Sequence, residues 1–135
     1  NNKLIAILVI ELILLFPLAH AFTLSQPTHN ATANSAVIKW TSSVPADSEV
    51  QYGKSTDKSL RADSDELVIN HSVNLQNLEE YTKYYYKVVS TDENGTLASY
   101  PPSGSGQELS FNTLDFAKQQ PKIKVTKAKD AESVL

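Results

Sequence analysis

The chain has 135 residues, 41% hydrophobic and 20% charged, with 12 basic against 15 acidic side chains and no cysteine. That size and balance fit one packed domain with appendages, not a disordered chain. The missing cysteine excludes disulfides, thiolate metal sites and a cysteine nucleophile. A net charge of −3 gives no reason to expect nucleic-acid binding, which needs a basic surface to displace counterions.

No methionine occurs, even at position 1, so the N-terminus is read as incomplete or processed. Residues 1–21 carry Lys3, an apolar run from Leu4 to Phe16, the helix breaker Pro17, and small residues at Ala19 and Ala21. This is the order of a secretory signal, and cleavage is expected between Ala21 and Phe22. A retained membrane helix ranks second, because a span needs about 20 apolar residues and Glu11 is costly in hydrocarbon. The apolar helix of a pilin-like filament subunit ranks third. Contact with a membrane is expected only through residues 1–21, if they are retained. The expected location is secreted or cell-surface.

From Phe22 to Thr113 the hydrophobic pattern has period two. Ala36, Ile38 and Trp40 share one face of a first strand, and Val50 and Tyr52 one face of a second. Ser72 to Leu75 alternates again. Tyr84, Tyr86 and Val88 fall together, and Phe111 sits in a last strand, Leu109 to Thr113. Turn signals intervene at Pro27 to Asn30, Pro45 to Asp47, Asp92 to Gly95 and Pro101 to Gly104, and a short turn fits Ser64 to Leu67. Short alternating strands between turns predict an all-β sandwich or small barrel with Ile38, Trp40, Val50, Tyr52, Leu78, Tyr84, Tyr86, Val88 and Phe111 in its core.

Three landmarks in order carry a resemblance. Ser35 to Thr41, with its tryptophan, resembles the second strand of fibronectin type III domains. Val44 to Gly53 resembles the proline turn and V-x-Y-G strand of bacterial and archaeal members. Leu78 to Val88 resembles the family's corner, with Tyr84 as the corner tyrosine and Glu80 where the family usually has proline. The same strands are similar to the N-terminal domain of purple acid phosphatases. The resemblance implies a seven-stranded, immunoglobulin-like sandwich over residues 22–114, in which the Tyr84 hydroxyl returns to the backbone.

Candidate chemistry is sparse. His20 is expected to leave with the signal, while His29 in a turn and His71 at a strand start read as separate surface side chains, too few for a metal site. Asp57 and the run Asp63, Ser64, Asp65, Glu66 lack the calcium-loop spacing and its glycine, and read as a solvated loop. No nucleophile elbow or phosphate-binding glycine loop appears. Tyr85 points away from the core and Tyr100 adjoins a proline loop, leaving each a weak candidate for ligand contact. Asn30, Asn70 and Asn94 head glycosylation sequons. No catalytic residue, metal or cofactor is therefore expected.

Residues 115–135 switch to lysine: Lys118, Lys122, Lys124, Lys127 and Lys129 stand against Asp115, Asp130 and Glu132. Pro121 to Val125 alternates as a strand would; otherwise the segment is a linker or the start of a further element. The chain is thus expected to be a non-enzymatic extracellular or cell-surface module for adhesion, spacing or assembly. Its partner would be a protein or the cell surface, self-assembly included. The alternatives are an accessory domain of a larger secreted hydrolase, such as a metallophosphatase, and a filament subunit built on the N-terminal helix.

Overall fold

The computed structural model describes residues 20–120; the predicted N-terminal helix and the strand at Pro121 to Val125 lie outside the described residues. Six strands follow in order: β1 (Thr28–Ala31), β2 (Ala36–Gly53), β3 (Leu60–Leu75), β4 (Lys83–Thr91), β5 (Leu97–Tyr100) and β6 (Leu109–Asn112). A four-residue helix, α1 (Phe116–Gln119), comes last, with the Asp115 carboxylate accepting from the Ala117 N–H at 2.9 Å.

Two of the strands are long because each serves both layers. The first half of β2, residues 36–41, pairs with the C-terminal half of β3, and residues 36–39 also pair with β1. Its second half pairs with the start of β3 and with β4. Ile38 and Trp40 from one half and Val50 from the other share a single core cluster, so β2 must fold over on itself between them. The β2–β3 register slips between Thr41 and Ala46, and Pro45 lies in that unpaired gap, where its missing N–H costs no ladder bond. The proline turn expected at residues 45–47 is therefore a bend inside one strand. The turn expected at Ser64 to Leu67 likewise lies within β3, and His29, expected in a turn, lies in β1.

The last lane is broken instead of bent. β5 pairs with the C-terminal half of β4 and β6 with its N-terminal half, both antiparallel, and residues 101–108 loop out between them. Counting β2 and β3 twice and β5 with β6 once gives three lanes in one layer and four in the other. The expected seven strands thus appear as six continuous elements occupying seven lanes. Of the nine residues expected in the core, Tyr52 is half-buried and packs on the cluster from its edge, its ring 6.4 Å from Tyr84; the other eight are buried.

The lanes run between two ends. One end gathers the bends of β2 and β3 and the β4–β5 turn, tied by the Ala46–Val68 and Ala46–Asp92 pairings. Gly95, at φ +80, closes that turn in a conformation that a side chain would strain. The N-terminal stretch enters at this end, where the Ser43 N–H donates to the Thr23 carbonyl at 3.0 Å. The other end gathers the β1–β2 turn, the β2–β3 turn and the β3–β4 connection. The chain leaves there, with the Leu114 N–H donating to the Thr32 carbonyl at 2.9 Å. Among the described residues no helix is long and apolar enough to cross a membrane.

Candidate functional site

Alternation places polar side chains inside the sandwich where β2 bends. Ser42 and Ser48 continue the even-numbered inward row of Ile38, Trp40 and Val50, and both are buried. Between them sits His71 of β3, 2% exposed, its ring stacked on Trp40 with centroids 4.7 Å apart and planes 3° from parallel. His71 is therefore a core residue well inside β3, which corrects the surface position at a strand start expected from sequence. A polar residue opening a strand reads as exposed until the partner hydroxyls that satisfy it are known.

The hydrogen bonds fix how the network is wired. The Ser42 hydroxyl donates to the Val44 carbonyl at 2.7 Å, so toward His71 Nε2, 2.8 Å away, it can only accept. That places the ring proton on Nε2 and leaves Nδ1 to accept from the Ser48 hydroxyl at 2.7 Å. A neutral imidazole satisfies both contacts; a charged one would turn the Ser48 hydroxyl from donor to acceptor, and its charge would be buried. Burial lowers the His71 pKa below the ordinary histidine value, against a smaller upward pull from the Asp47 carboxylate. Asp47 is itself engaged, accepting from the Thr91 N–H at 2.6 Å. The Trp40 indole N–H crosses the sandwich to donate to the buried Ser90 hydroxyl at 3.1 Å, joining the two layers through one bond.

Serine and histidine thus meet at nucleophile-to-base distance, yet Ser42, Ser48 and His71 are all buried and the Ser42 proton is held by a backbone carbonyl. The arrangement fixes the bend of β2 against β3. Among the described residues no three His, Asp or Glu side chains gather as a metal would require. The expected acidic loop is instead part of exposed β3, with Asp63 paired opposite Glu49 of β2.

The tyrosines divide by parity. Tyr84 and Tyr86 are buried, and the Tyr84 hydroxyl accepts from the Glu79 N–H at 3.0 Å, the backbone return of a corner tyrosine. Glu80, in the place of proline, accepts from the Phe116 N–H at 3.1 Å and so ties the corner to the exit helix. The Tyr86 hydroxyl lies 3.2 Å from His29 Nδ1, and burial pushes its pKa up to about 12. Tyr85 faces outward beneath the Lys83 ammonium, 4.9 Å from its ring centroid. Tyr100 is half-buried and lines a groove of about 390 Å³ between β5 and residues Phe22 to Leu24. Asn30 on β1, Asn70 on β3 and Asn94 in the β4–β5 turn are all exposed. Of the expected cleavage residues, Ala21 is exposed and Ala19 lies outside the described residues.

The family profile of the purple acid phosphatase N-terminal domain matches residues 25–113, from the start of the sandwich to the end of its last lane. The chain belongs to that family. As a purple acid phosphatase N-terminal domain it keeps the sandwich, the core tryptophan and the corner tyrosine described above. Among solved structures it is similar to a computationally redesigned β-sandwich protein, at 22% identity and a TM-score of 0.50 over 72% of this chain and 99% of that one. It is also similar to a fibronectin type III domain from the human KIAA0970 protein, at 18% identity and a TM-score of 0.48 over 75% of this chain and 77% of that one. A third is chicken CNTN1 FN1–FN3, at 17% identity and a TM-score of 0.49 over 69% of this chain and 32% of that one. These likenesses concern the fold alone. No curated protein matches the chain.

Proposed function

We propose that this chain is a non-catalytic extracellular or cell-surface module for adhesion, spacing or assembly. The observation that carries the reading is how its Ser–His contacts are used: Ser42, Ser48 and His71 are buried and mutually satisfied, so a substrate would meet none of them. The extracellular part rests on Ala19-His20-Ala21 behind the apolar run. In that setting the exposed Asn30, Asn70 and Asn94 sequons are open to N-glycosylation. The test is to assay the purified chain against phosphomonoesters, carboxyl esters and peptides while capturing partners from the host's extracellular surface. Binding without turnover is expected. Turnover that disappears on substituting a residue of residues 22–114 would end the reading.

A second reading is favoured by the family match: an accessory domain of a larger secreted metallophosphatase. Reading the gene past Leu135 decides between them, since clustered metal-ligand motifs downstream would support the accessory role. In that case deleting residues 22–114 should lower the yield or stability of the whole enzyme and leave turnover at its metal centre intact.

A further inference from the structure

We infer that Asn94 is a site of spontaneous deamidation through attack by the Gly95 backbone nitrogen, and that the Asp92 side chain restrains the reaction by holding the turn closed. Asn94-Gly95 is the one Asn-Gly pair in the sequence. Both residues are exposed, in the turn between β4 and β5. A Cβ on Gly95 would meet nothing within 4 Å, so open space surrounds the residue that carries the attacking nitrogen. Among the described residues the Asn94 side-chain amide makes no hydrogen bond that would hold it away from that nitrogen. Every other described asparagine is followed by a residue whose side chain crowds the attack: Ala31, Ser35, His71, Leu75, Leu78 and Thr113. Asn30 and Asn70 are also held in paired strands, opposite Val37 and Thr41.

The chemistry needs only water and its bases. The Gly95 nitrogen gives its proton to solvent base, bonds to Asn94 Cγ and expels the side-chain nitrogen as ammonia. Water then opens the cyclic imide at either carbonyl. Opening at the side-chain carbonyl leaves aspartate on an unchanged backbone. Opening at the backbone carbonyl leaves isoaspartate, in which the chain runs through the side chain and gains a methylene. Either product adds a carboxylate beside Asp92 and Glu93 and removes the amide on which a glycan at this sequon would be built. Isoaspartate also lengthens the turn that sets the β4–β5 register.

The closed turn holds the nucleophile back. The Gly95 N–H donates to the Asp92 carbonyl at 3.0 Å, and the Asp92 N–H donates to the Thr96 carbonyl at 2.9 Å. Asp92 Oδ1 accepts from the Asn94 N–H at 2.9 Å and from the Thr96 N–H at 2.8 Å. Bringing the Gly95 nitrogen onto Asn94 Cγ means rotating the backbone between them, which these bonds oppose. The reaction therefore proceeds from an opened turn, and each bond lost adds to the free energy of opening. The Asp92 carboxylate also disfavours the negative charge of a deprotonated amide nitrogen close by.

The exported chain, recovered from a host without N-glycosylation, is incubated in mildly alkaline buffer. Peptide mapping that separates asparagine, aspartate and isoaspartate at each position follows the course. In the folded parent Asn94 should convert before every other described asparagine. The same chain unfolded in urea should convert Asn94 several-fold faster. Asp92→Ala should bring the folded rate toward the unfolded one. Asp92→Asn keeps an acceptor oxygen in place and should stay closer to the parent, which separates the hydrogen bonds from the charge. If Asp92→Ala melts below the incubation temperature, Asp92→Glu, whose extra methylene displaces the acceptor oxygens, gives the same readout. The inference is overturned by a folded parent that keeps Asn94 after the unfolded chain has lost it, or that loses another described asparagine first. It is equally overturned by a folded parent as fast as the unfolded chain, by an Asp92→Ala variant no faster than the parent, or by an Asp92→Asn variant as fast as Asp92→Ala. None of these touches the module reading, which fails only on the turnover assay above.

Discussion

Replacing His71 tests the central network quantitatively. His71→Phe keeps a flat ring on Trp40 but leaves the Ser48 hydroxyl without its acceptor and the Ser42 oxygen without its donor. Leaving a buried hydroxyl unsatisfied costs about 1–3 kcal/mol, so with one strong donor stranded and one acceptor weakened we expect a loss of about 2–3 kcal/mol. For a domain whose whole stability is about 5–15 kcal/mol, that is a large fraction. His71→Ala should cost more, about 3–5 kcal/mol, because it also opens a cavity beside Trp40. The pH dependence follows from the direction of the pKa shift. Because the folded protein lowers the His71 pKa, the unfolded chain binds a proton more readily. The contribution is therefore fully present above the ordinary histidine pKa of about 6.5 and is lost as pH falls toward the folded value, by at most about 1.4 kcal/mol per pH unit. Urea titrations of the parent and His71→Phe between about pH 5 and pH 8, a window in which most carboxylates stay ionised, isolate this effect in their difference. The gap between the two proteins should narrow as pH falls. A His71→Phe variant as stable as the parent at the upper end, or a gap independent of pH, would refute a neutral, doubly bonded His71.

Three further outcomes are expected. Trp40→Ala should cost about 3–5 kcal/mol by opening the core beside Ile38 and releasing the Ser90 hydroxyl; a melting temperature within a few degrees of the parent would contradict the packing. Tyr84→Phe loses the hydroxyl that accepts from the Glu79 N–H and should destabilise by about 1–2 kcal/mol at most. Tyr85→Phe should be close to neutral, and paired denaturant titrations compare the two. The exported protein should begin at Phe22, and an intact mass that still includes Asn1 to Ala21 would favour the anchor or filament reading.

Period-two alternation is a local property, and it was enough to place Ile38, Trp40, Val50, Tyr84, Tyr86, Val88 and Phe111 on inward faces, because neighbouring residues of a strand must point to opposite sides. The corner from Leu78 to Val88 was legible for the same reason, its tyrosine and the backbone it caps being five residues apart. What alternation could not supply was the inside of the sandwich around His71. The same rule that sends leucine inward assigns serine and histidine to water, and it fails where polar groups satisfy one another. Ser42 and Ser48 are 29 and 23 residues from the ring they bind, and Trp40 is 50 residues from Ser90. Pro45 was a turn signal by its chemistry, yet the fold uses it in a bend that carries β2 from one layer to the other. The neighbourhood of the exposed Tyr81 was equally hidden, since Tyr81 and Leu114 are far apart in the chain and a backbone hydrogen bond brings them together. Burial of a polar residue, and the company of an exposed apolar one, are set by which distant segments arrive beside it, and only the tertiary structure decides that.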